Sequence, residues 1–516
     1  MPVWVVGASE SAERDRTAIE GGIPSRTLME RAGTAAAAEI TRRYSERLGD
    51  GAAVFTGPGN NGGDGWIVAG TLARGGVHVT VIETAPPSPS RSPDAVAAKA
   101  GAIGSVTSAA SVSTPGVVVD ALLGTGFEGE PRGSVGAAIA SINELRDGGA
   151  RVAALDVPSG LDATTGAHSQ CVVADLTLSF GGVKRGTLLA RDCCGQIVAI
   201  DIGLDDSSAL ARRRDAAARL PSLVEPAWVT ATVPHIRYDA HKGTRKHLSI
   251  VGSAPGMAGA VVLAARGALR SGIGLVRIMA AQENLAAILA AVPSALISEW
   301  PSSPEQVESE IADWANAVVI GPGLGKSSAA RELVEAVLRS SRVPTLLDAD
   351  ALNLFAGDAE SLGALIAGRP ALITPHAAEF GRLAGLDVKT VLANRFDIGL
   401  DLARDLDATV LLKGSPTIVF APDGDRHVIA RGTAALGTGG SGDLLDGIAG
   451  TMLAQLGDPV AAACCAAWVH GRAAELCGYV RGTTLEDVIY ALPRAWNEGE
   501  PAPALPVLAE LPAVAL

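Results

Sequence analysis

Apolar residues along this chain fall into two long series of short runs separated by Ala-rich segments of helical periodicity. That is the pattern of mostly parallel sheets covered by helices. The first series predicts strands at 52–56, 77–83, 117–123, 152–157, 176–180 and 197–202, and Gly, Pro or Asn punctuates the chain after each of the first four. The second predicts strands at 248–252, 276–279, 317–321, 345–348, 371–374 and 409–413. Between the two series the character changes, with Asp205 and Asp206, three arginines at 212–214, and then Pro221 and Pro226. The boundary is placed there: a first domain over 1–215, a linker at 216–230, a second domain over 231–498 and a loose Pro-rich tail at 499–516. A Pro/Ser stretch at 85–93 reads as a surface loop inside the first domain.

Composition narrows the class. The 516 residues are 48% apolar and 19% charged, enough to bury more than one core, which excludes wholesale disorder. Glycine is abundant at 61 residues, aromatics are scarce at 3%, and the net charge is −13. A nucleic-acid binder, which needs a basic face and stacking rings, is thereby excluded. The six cysteines, Cys171, Cys193, Cys194, Cys464, Cys465 and Cys477, form no C-x-x-C pair. That spacing predicts neither a zinc site nor a disulfide framework, and a reducing cytoplasm is the expected location. The N-terminus lacks a basic region followed by an apolar stretch. The longest apolar run, near 460–469, falls short of the ~20 residues of a membrane span, so no membrane partner is expected.

Residues 57–65 read GPGNNGGDG, directly after a predicted strand and before a helical stretch. Gly57, Gly59 and Gly62 fit G-x-G-x-x-G, and Glu83 ends the next strand where an acid would hold a ribose; an NAD-dependent dehydrogenase is one reading. Against it, Pro58 stiffens the turn, and Asn60, Asn61 and Asp64 load it with side-chain polar groups suited to a polar ligand or a hard cation. The bland alternative is a strand-to-helix turn with Asp64 as N-cap. Two later loops, DALLGTGFEGEPRG at 120–133 and ALDVPSGLD at 154–162, also put acids and hydroxyls just after strands. In an open parallel sheet the three loops converge on one crevice.

These loops, with GIPSRTLMERAG at 22–33, resemble the YjeF N-terminal family, which in bacterial fusion proteins is an NAD(P)H-hydrate epimerase; the likeness covers nearly all of 1–215. It implies a Rossmann-like three-layer αβα domain. By motif position Asn60, Asn61, Gly62, Gly63 and Asp64, then Gly124, Thr125, Gly126, Phe127, Glu128, Gly129 and Glu130, together with Asp156, would hold the hydrated dinucleotide. Asn61, Asp120 and Ser159 would supply oxygens to potassium. Asp156 is the expected catalytic group, the one acid at its strand end facing the crevice. Its bland alternative is an aspartate capping the next turn.

In the second half, LGTGGSGDLLDGIAG at 436–450 combines a glycine-rich turn with the start of a helix near Asp443. Converging amides and the positive helix end make a site for phosphate, and Asp443 beside them can take a proton from a hydroxyl. This G-[ST]-G-D loop, after a strand ending in KG, resembles the ribokinase-like fold and implies a second αβα domain. HKGTRKHLSIVGSAPGMAGA at 241–260, GPGLG at 321–325, LDADALN at 347–353 and TPHAAEF at 374–380 narrow the likeness to ADP-dependent NAD(P)H-hydrate dehydratases over about 225–495. Many vitamin kinases of this fold carry N-x-x-E where this chain has His376-x-x-Glu379. The resemblance implies Ala260, Gly323, His376 and Asp443 around the hydrated dinucleotide. Lys413, Gly414, Ser415, Pro416 and Thr417, with Gly442, would bind the adenine nucleotide, and Glu379 would act on magnesium through water. Asp443 is the expected catalytic base. One departure is that relatives often carry a second glycine shortly after HKG, where this chain has Arg245 and Lys246.

Together the resemblances imply a two-activity α/β enzyme. The first domain would interconvert the (R) and (S) hydrates of NADH and NADPH (NADHX and NADPHX) with K+. The second would dehydrate the (S) form with Mg2+ and ADP, giving AMP and phosphate. A homo-oligomer is expected. The alternative is a vitamin-precursor kinase fused to a non-catalytic nucleotide-binding module.

Overall fold

The computed structural model describes residues 2–204 and 219–514. It divides into two compact units, residues 1–213 with 503–514, and residues 214–502. The first unit carries β1 (Val5–Val6), β2 (Ala52–Thr56), β3 (Val79–Glu83), β4 (Thr107–Ser108), β5 (Val117–Ala121), β6 (Arg151–Leu155), β7 (Leu176–Phe180), β8 (Val183–Lys184), β9 (Gln196–Ile200) and β20 (Val507–Leu511). β1 pairs with β8, and the other eight form one sheet in the order β20-β9-β7-β6-β5-β2-β3-β4. All its neighbours run parallel except β20, which is antiparallel to β9. β5 reads VVVDA and is buried throughout, as expected for a parallel strand covered on both faces. Helices Ser25–Tyr44, Asn60–Arg74 and Pro93–Ala102 cover one face through Met29, Ile40, Trp66 and Ala98. Gly133–Asp147 covers the other through Ile139 and Ile142. The chain order reverses between β2 and β5, so the loops leaving those strands diverge and open a crevice.

The second unit holds β10 (Ser222–Leu223), β11 (His247–Val251), β12 (Leu275–Ala280), β13 (Leu296–Glu299), β14 (Ala317–Ile320), β15 (Thr345–Leu347), β16 (Ala371–Ile373), β17 (Thr409–Leu412), β18 (Thr417–Phe420) and β19 (Arg426–Ile429). They form a sheet in the order β10-β19-β18-β17-β16-β15-β14-β11-β12-β13. Only β17-β18 and β18-β19 are antiparallel. The reversal here lies between β11 and β14. Helices Ala258–Arg270, Ser441–Leu456, Pro459–Leu476 and Leu485–Asn497 pack together over one large apolar cluster. The apolar run near 460–469 belongs to this core, and no helix among the described residues is long and apolar enough to cross a membrane.

Two expectations are corrected. The tail beyond Glu498 is not loose: Val507, Ala509 and Leu511 alternate inward and β20 completes the sheet of the first unit. Prolines on both sides hid a five-residue period-2 pattern, and proline is compatible with the ends of an edge strand. The linker is also partly structured. Of the boundary segment, 205–218 lies outside the described residues, but β10 pairs with β19 and Val229 of helix Pro226–Thr232 joins the second core. Both corrections concern short edge elements, whose periodicity is too brief to read. Lys246, in the loop after HKG, sits at φ 72°, the left-handed conformation that glycine adopts most easily.

Leu511 is 4% exposed against the sheet. Leu511→Ala is expected to cost the first unit about 2 kcal/mol or more. Urea unfolding followed by a probe in each unit should show the first transition shifted and the second unmoved.

Candidate active sites

In the first unit the turn after β2 packs directly on the loop after β5, because Gly57 has no side chain: a Cβ there would lie 2.0 Å from the Leu122 carbonyl oxygen. Helix Asn60–Arg74 then starts with Gly59 as its N-cap. Asp64 therefore sits a full turn inside the helix and is not its cap. A cleft of about 670 Å³ opens at these strand ends, lined by Asn60, Asn61, Asp64, Gly124, Thr125, Gly126, Phe127, Glu128 and Asp156 among the residues expected from sequence. It is also lined by Asp15, Met29 and Lys184. Gly62 and Gly63 do not line it; Gly62 abuts the Gly57 carbonyl and Gly63 abuts Met29. Gly129 and Glu130 are exposed and lie outside its lining, and Glu83 is paired with Lys99 Nζ at 2.7 Å.

Asp156 holds a left-handed backbone, φ 66°, immediately after β6. Its Oδ1 lies 2.5 Å from the buried Lys184 Nζ and accepts the Phe180 amide at 3.1 Å. These partners are remote in sequence, so Asp156 does not cap its own turn. Lys184 Nζ also donates to the Phe180 carbonyl at 2.6 Å. Burial pushes the Asp64 carboxyl well up, and Asp156 and Asp15 add to the effect against the opposing Lys184. Asp15 is pushed up to about 6, by burial first, with Lys184 opposing and Asp156 reinforcing. The cleft thus combines an ion-paired carboxylate with two carboxyl groups that retain protons more tightly than usual. Asp15 and Lys184 were not anticipated, since a lone Asp on an N-terminal helix and a lone Lys after β7 carry no motif.

Below the cleft lies a buried oxygen cluster. Ser159 Oγ donates to Asp120 Oδ1 at 2.6 Å, the Ser159 amide donates to Oδ2 at 2.8 Å, and Asn61 Nδ2 donates to the Leu123 carbonyl at 2.7 Å. Asn61 Oδ1 is buried with no hydrogen-bond partner. Asp120 is pushed up to about 6, by burial against the Ser159 hydrogen bonds that lower it.

In the second unit the groups leave the ends of consecutive strands. Lys413, after β17, donates to both carboxylate oxygens of Asp348, after β15, at 2.8 and 2.9 Å. It lies 3.8 Å from Glu379 Oε2. Burial alone would lower Lys413, but Asp348, Asp446 and Glu379 hold it above the usual lysine range. His376 caps helix Ala377–Ala384: its Nδ1 accepts the Ala378 and Glu379 amides, while Glu379 Oε2 accepts the His376 amide at 2.9 Å. The ring is half-exposed, and burial shifts it down despite Glu379. Helix Ser441–Leu456 begins two residues before Asp443, with Gly440 at φ 89° and no side-chain cap; the Ser441 amide donates to the Thr438 carbonyl at 3.3 Å, and the Gly442 and Asp443 amides stay open to a ligand. Gly442 faces Lys413: a Cβ there would lie 3.3 Å from Nζ. Asp443 is pushed up to about 6, by burial and then by Asp348, against Lys413. Asp446, fully buried, accepts from Thr374 Oγ1 at 3.2 Å through Oδ1, and its carboxyl also hydrogen-bonds the Asp348 side chain. Its carboxyl is pushed well up by burial and then by Asp348.

The structure therefore brings Lys413, Gly442, Asp443, His376 and Glu379 together around Asp348. Ala260 and Gly323 form a neighbouring contact at the β11/β14 reversal, with 3.1 Å between Ala260 Cβ and a Cβ built on Gly323. Gly414, Ser415 and Pro416 form the turn between β17 and β18, whose first residue is Thr417, and the turn is backed by Arg395, whose Nη1 donates to the Ser415 carbonyl at 3.1 Å. Asp446 was missed because it lies beyond the G-S-G-D letters, one helical turn along on the same face.

Known proteins are similar to this chain over nearly its whole length. Residues 25–186 match the model of the YjeF-related protein N-terminus, and residues 248–493 match that of NAD(P)H-hydrate dehydratase. The bifunctional NAD(P)H-hydrate repair enzyme Nnr of Escherichia coli is 34% identical over 505 residues, 96% of this chain and 94% of its own length. That of Salinibacter ruber is 35% identical, with 96% of each chain covered. The chain belongs to the bifunctional NAD(P)H-hydrate repair enzyme family. Among solved structures, the ADP/ATP-dependent NAD(P)H-hydrate dehydratase of Bacillus subtilis, co-crystallised with ATP/Mg2+, is 30% identical at a TM-score of 0.47, over 53% of this chain and 97% of that one. Membership in the repair-enzyme family excludes an ordinary dehydrogenase, in keeping with the engagement of Glu83 by Lys99.

Asp443 also bears on stability. Its folded value, about 6, lies above the ordinary aspartate value of 3.8, so the stability its proton contributes is full below about pH 4 and lost as pH rises through 6. Asp443→Asn should match the parent near pH 4 and exceed it by about 1–3 kcal/mol at pH 8, measured by urea unfolding of the second unit.

Proposed function

We propose that this chain repairs NADH and NADPH damaged by water, its first unit interconverting the (R) and (S) hydrates and its second dehydrating the (S) hydrate with ADP. The observation that carries the reading is the cluster of Asp443, Lys413 and the open amides of helix Ser441–Leu456, in a chain collinear with repair enzymes over 96% of its length.

In the second unit Asp443 takes the proton of the ring hydroxyl as that oxygen attacks the β-phosphorus of ADP, and AMP leaves. The raised carboxyl keeps the base near the working pH, and the helix amides with Lys413 receive the negative charge on the transferring group. Phosphate then departs on the ring nitrogen's electron pair, a neighbouring ring proton is lost, and the dihydronicotinamide is restored. Four acids, Asp348, Glu379, Asp443 and Asp446, crowd around the single ammonium of Lys413. A nucleoside diphosphate entering such a site needs a divalent cation, and this set of acids offers it oxygen ligands. Magnesium held by these carboxylates, with Glu379 acting through water, would neutralise phosphate charge.

In the first unit the substrate ring lies in the cleft beside Asp156. Asp156, fixed by Lys184, moves a proton at the hydrated centre, and Asp64 or Asp15 supplies the complementary proton from a carboxyl kept protonated by burial. Asn61 Oδ1, Asp120, Ser159 Oγ and the Leu123 carbonyl make an all-oxygen set that fits potassium, which would satisfy the orphaned Asn61 oxygen and offset the buried Asp120.

The test follows the recovery of dihydronicotinamide absorbance from separated hydrate epimers with ADP and magnesium. Asp443→Ala should abolish recovery from both epimers; full activity, or phosphate release without recovery, would overturn the mechanism. Asp156→Ala should leave (S) recovery intact while the (R) epimer is consumed only at its spontaneous rate. A stable phosphorylated product, seen by mass spectrometry, would instead favour the kinase alternative.

A further inference from the structure

Away from both sites, the fold assembles a cluster that the cysteine spacing does not announce. His168 and Cys171 lie in the long connection between β6 and β7, and Cys193 lies just before β9. Their nearest ligand atoms all fall within 4.8 Å of one another. Cys171 Sγ and Cys193 Sγ are 3.2 Å apart, and Cys193 Sγ is 3.6 Å from His168 Nε2. Both thiols are buried, while His168 is exposed and closes the cluster from the solvent side.

The geometry points to a zinc site of two thiolates and one imidazole, with a water as fourth ligand. Tetrahedral zinc with bonds of about 2.3 Å to sulfur and about 2.05 Å to nitrogen separates two sulfurs by about 3.8 Å and sulfur from nitrogen by about 3.6 Å. The spacing of Cys193 Sγ from the nitrogen already matches, Cys171 Sγ lies within 4.8 Å of it, and the thiols need part by only about 0.6 Å. The imidazole is also prepared: His168 Nδ1 lies 2.9 Å from the Gly166 carbonyl, which can only accept, so the proton is on Nδ1 and the Nε2 lone pair faces the sulfurs. Two soft sulfurs and an imidazole suit zinc over magnesium or calcium. Binding releases the two thiol protons.

The site has something to hold. The Cys171 carbonyl accepts from Asn143 Nδ2 at 3.0 Å, and the next residue, Val172, donates its amide to the Ser159 carbonyl at 2.9 Å. Ser159 in turn holds Asp120. Zinc would thus fasten the 166–172 segment to the turn before β9 and steady the backbone that presents the oxygen cluster.

The test uses the full chain without a histidine tag, reduced, stripped with chelator and titrated with Zn2+ or Co2+ alone. One metal per chain is expected by elemental analysis, and cobalt should give sulfur-to-metal charge-transfer and tetrahedral absorption bands. Cys171→Ser, Cys193→Ser and His168→Ala should each weaken binding by about tenfold or more, and Cys477→Ser should leave it unchanged. Zinc should raise the unfolding midpoint of the first unit in the parent and not in Cys193→Ser. Absence of stoichiometric metal and of the cobalt bands would overturn the proposal. So would a mass two hydrogens low after air exposure, mapped to a Cys171–Cys193 disulfide, if the reduced chain binds no zinc.

Discussion

A buried lysine paired with an aspartate at a strand end is the constraint on which both halves of this molecule turn. The chain has seven lysines, and two of them, Lys184 and Lys413, sit inside the candidate sites on Asp156 and Asp348. Removing such a charge from water is costly, and the cost is offset only where the partner carboxylate and further acceptors are held in place. The parallel sheet does the holding. Asp156 follows β6 and Lys184 follows β7, neighbouring strands whose ends converge; Asp348 follows β15 and Lys413 follows β17, with β16 between. Each pair then sets the field for the acids around it, which is why Asp64 and Asp15 on one side, and Asp443 and Asp446 on the other, are pushed up by burial yet opposed by a nearby ammonium. The result is carboxyl groups poised closer to neutrality than free aspartate, the property that proton transfer needs.

What could be read from the residues, and what could not, follows from the range of each signal. The parallel strands announce themselves because burial on both faces makes them continuous apolar runs, and the glycine loops do so because close backbone contacts, such as Gly57 on Leu122, tolerate no side chain. The loops carrying Asn61, Asp156, Asp443 and Lys413 were therefore legible, and the structure brings them to strand ends. Lys184 and Asp15 were not legible. Nothing local distinguishes a lysine that will be buried from one that will be solvated until its partner, 28 residues away in the case of Asp156, is placed beside it. The edge strands β10 and β20 escaped for a different reason, being too short for a period. The meeting of Cys171 with Cys193 was not legible from spacing, because it comes only through the β7–β9 crossover.

An orphaned oxygen sharpens the division between fold and function. A folded protein leaves few buried polar atoms unpaired, since each costs about 1–3 kcal/mol. Asn61 Oδ1 is of this kind, and it sits among other oxygens at the end of a central strand. Packing alone offers no reason to keep it, because an apolar residue of similar size would remove the cost. A monovalent ion among the neutral and singly charged oxygens around Asn61 would supply the reason, and a divalent one would suit the place where several carboxylates surround Lys413. The difference in local charge, rather than any difference in fold, separates the two sites.

The course of the chain adds a constraint on assembly. The first unit is built from residues 1–213, yet its edge is closed by residues 503–514, which emerge only after the entire second unit has been made. β20 is an edge strand, so the seven-stranded remainder, whose strand order places β9 last on that side, can form beforehand. Until Val507–Leu511 arrives, β9 presents a row of open hydrogen-bonding groups, and edge exposure of that kind invites pairing with other chains. Closing it with residues that follow the second unit makes a complete first unit conditional on synthesis of the second. A chain that stops anywhere within 214–502 lacks part of the second unit and also the strand that seals the sheet of the first.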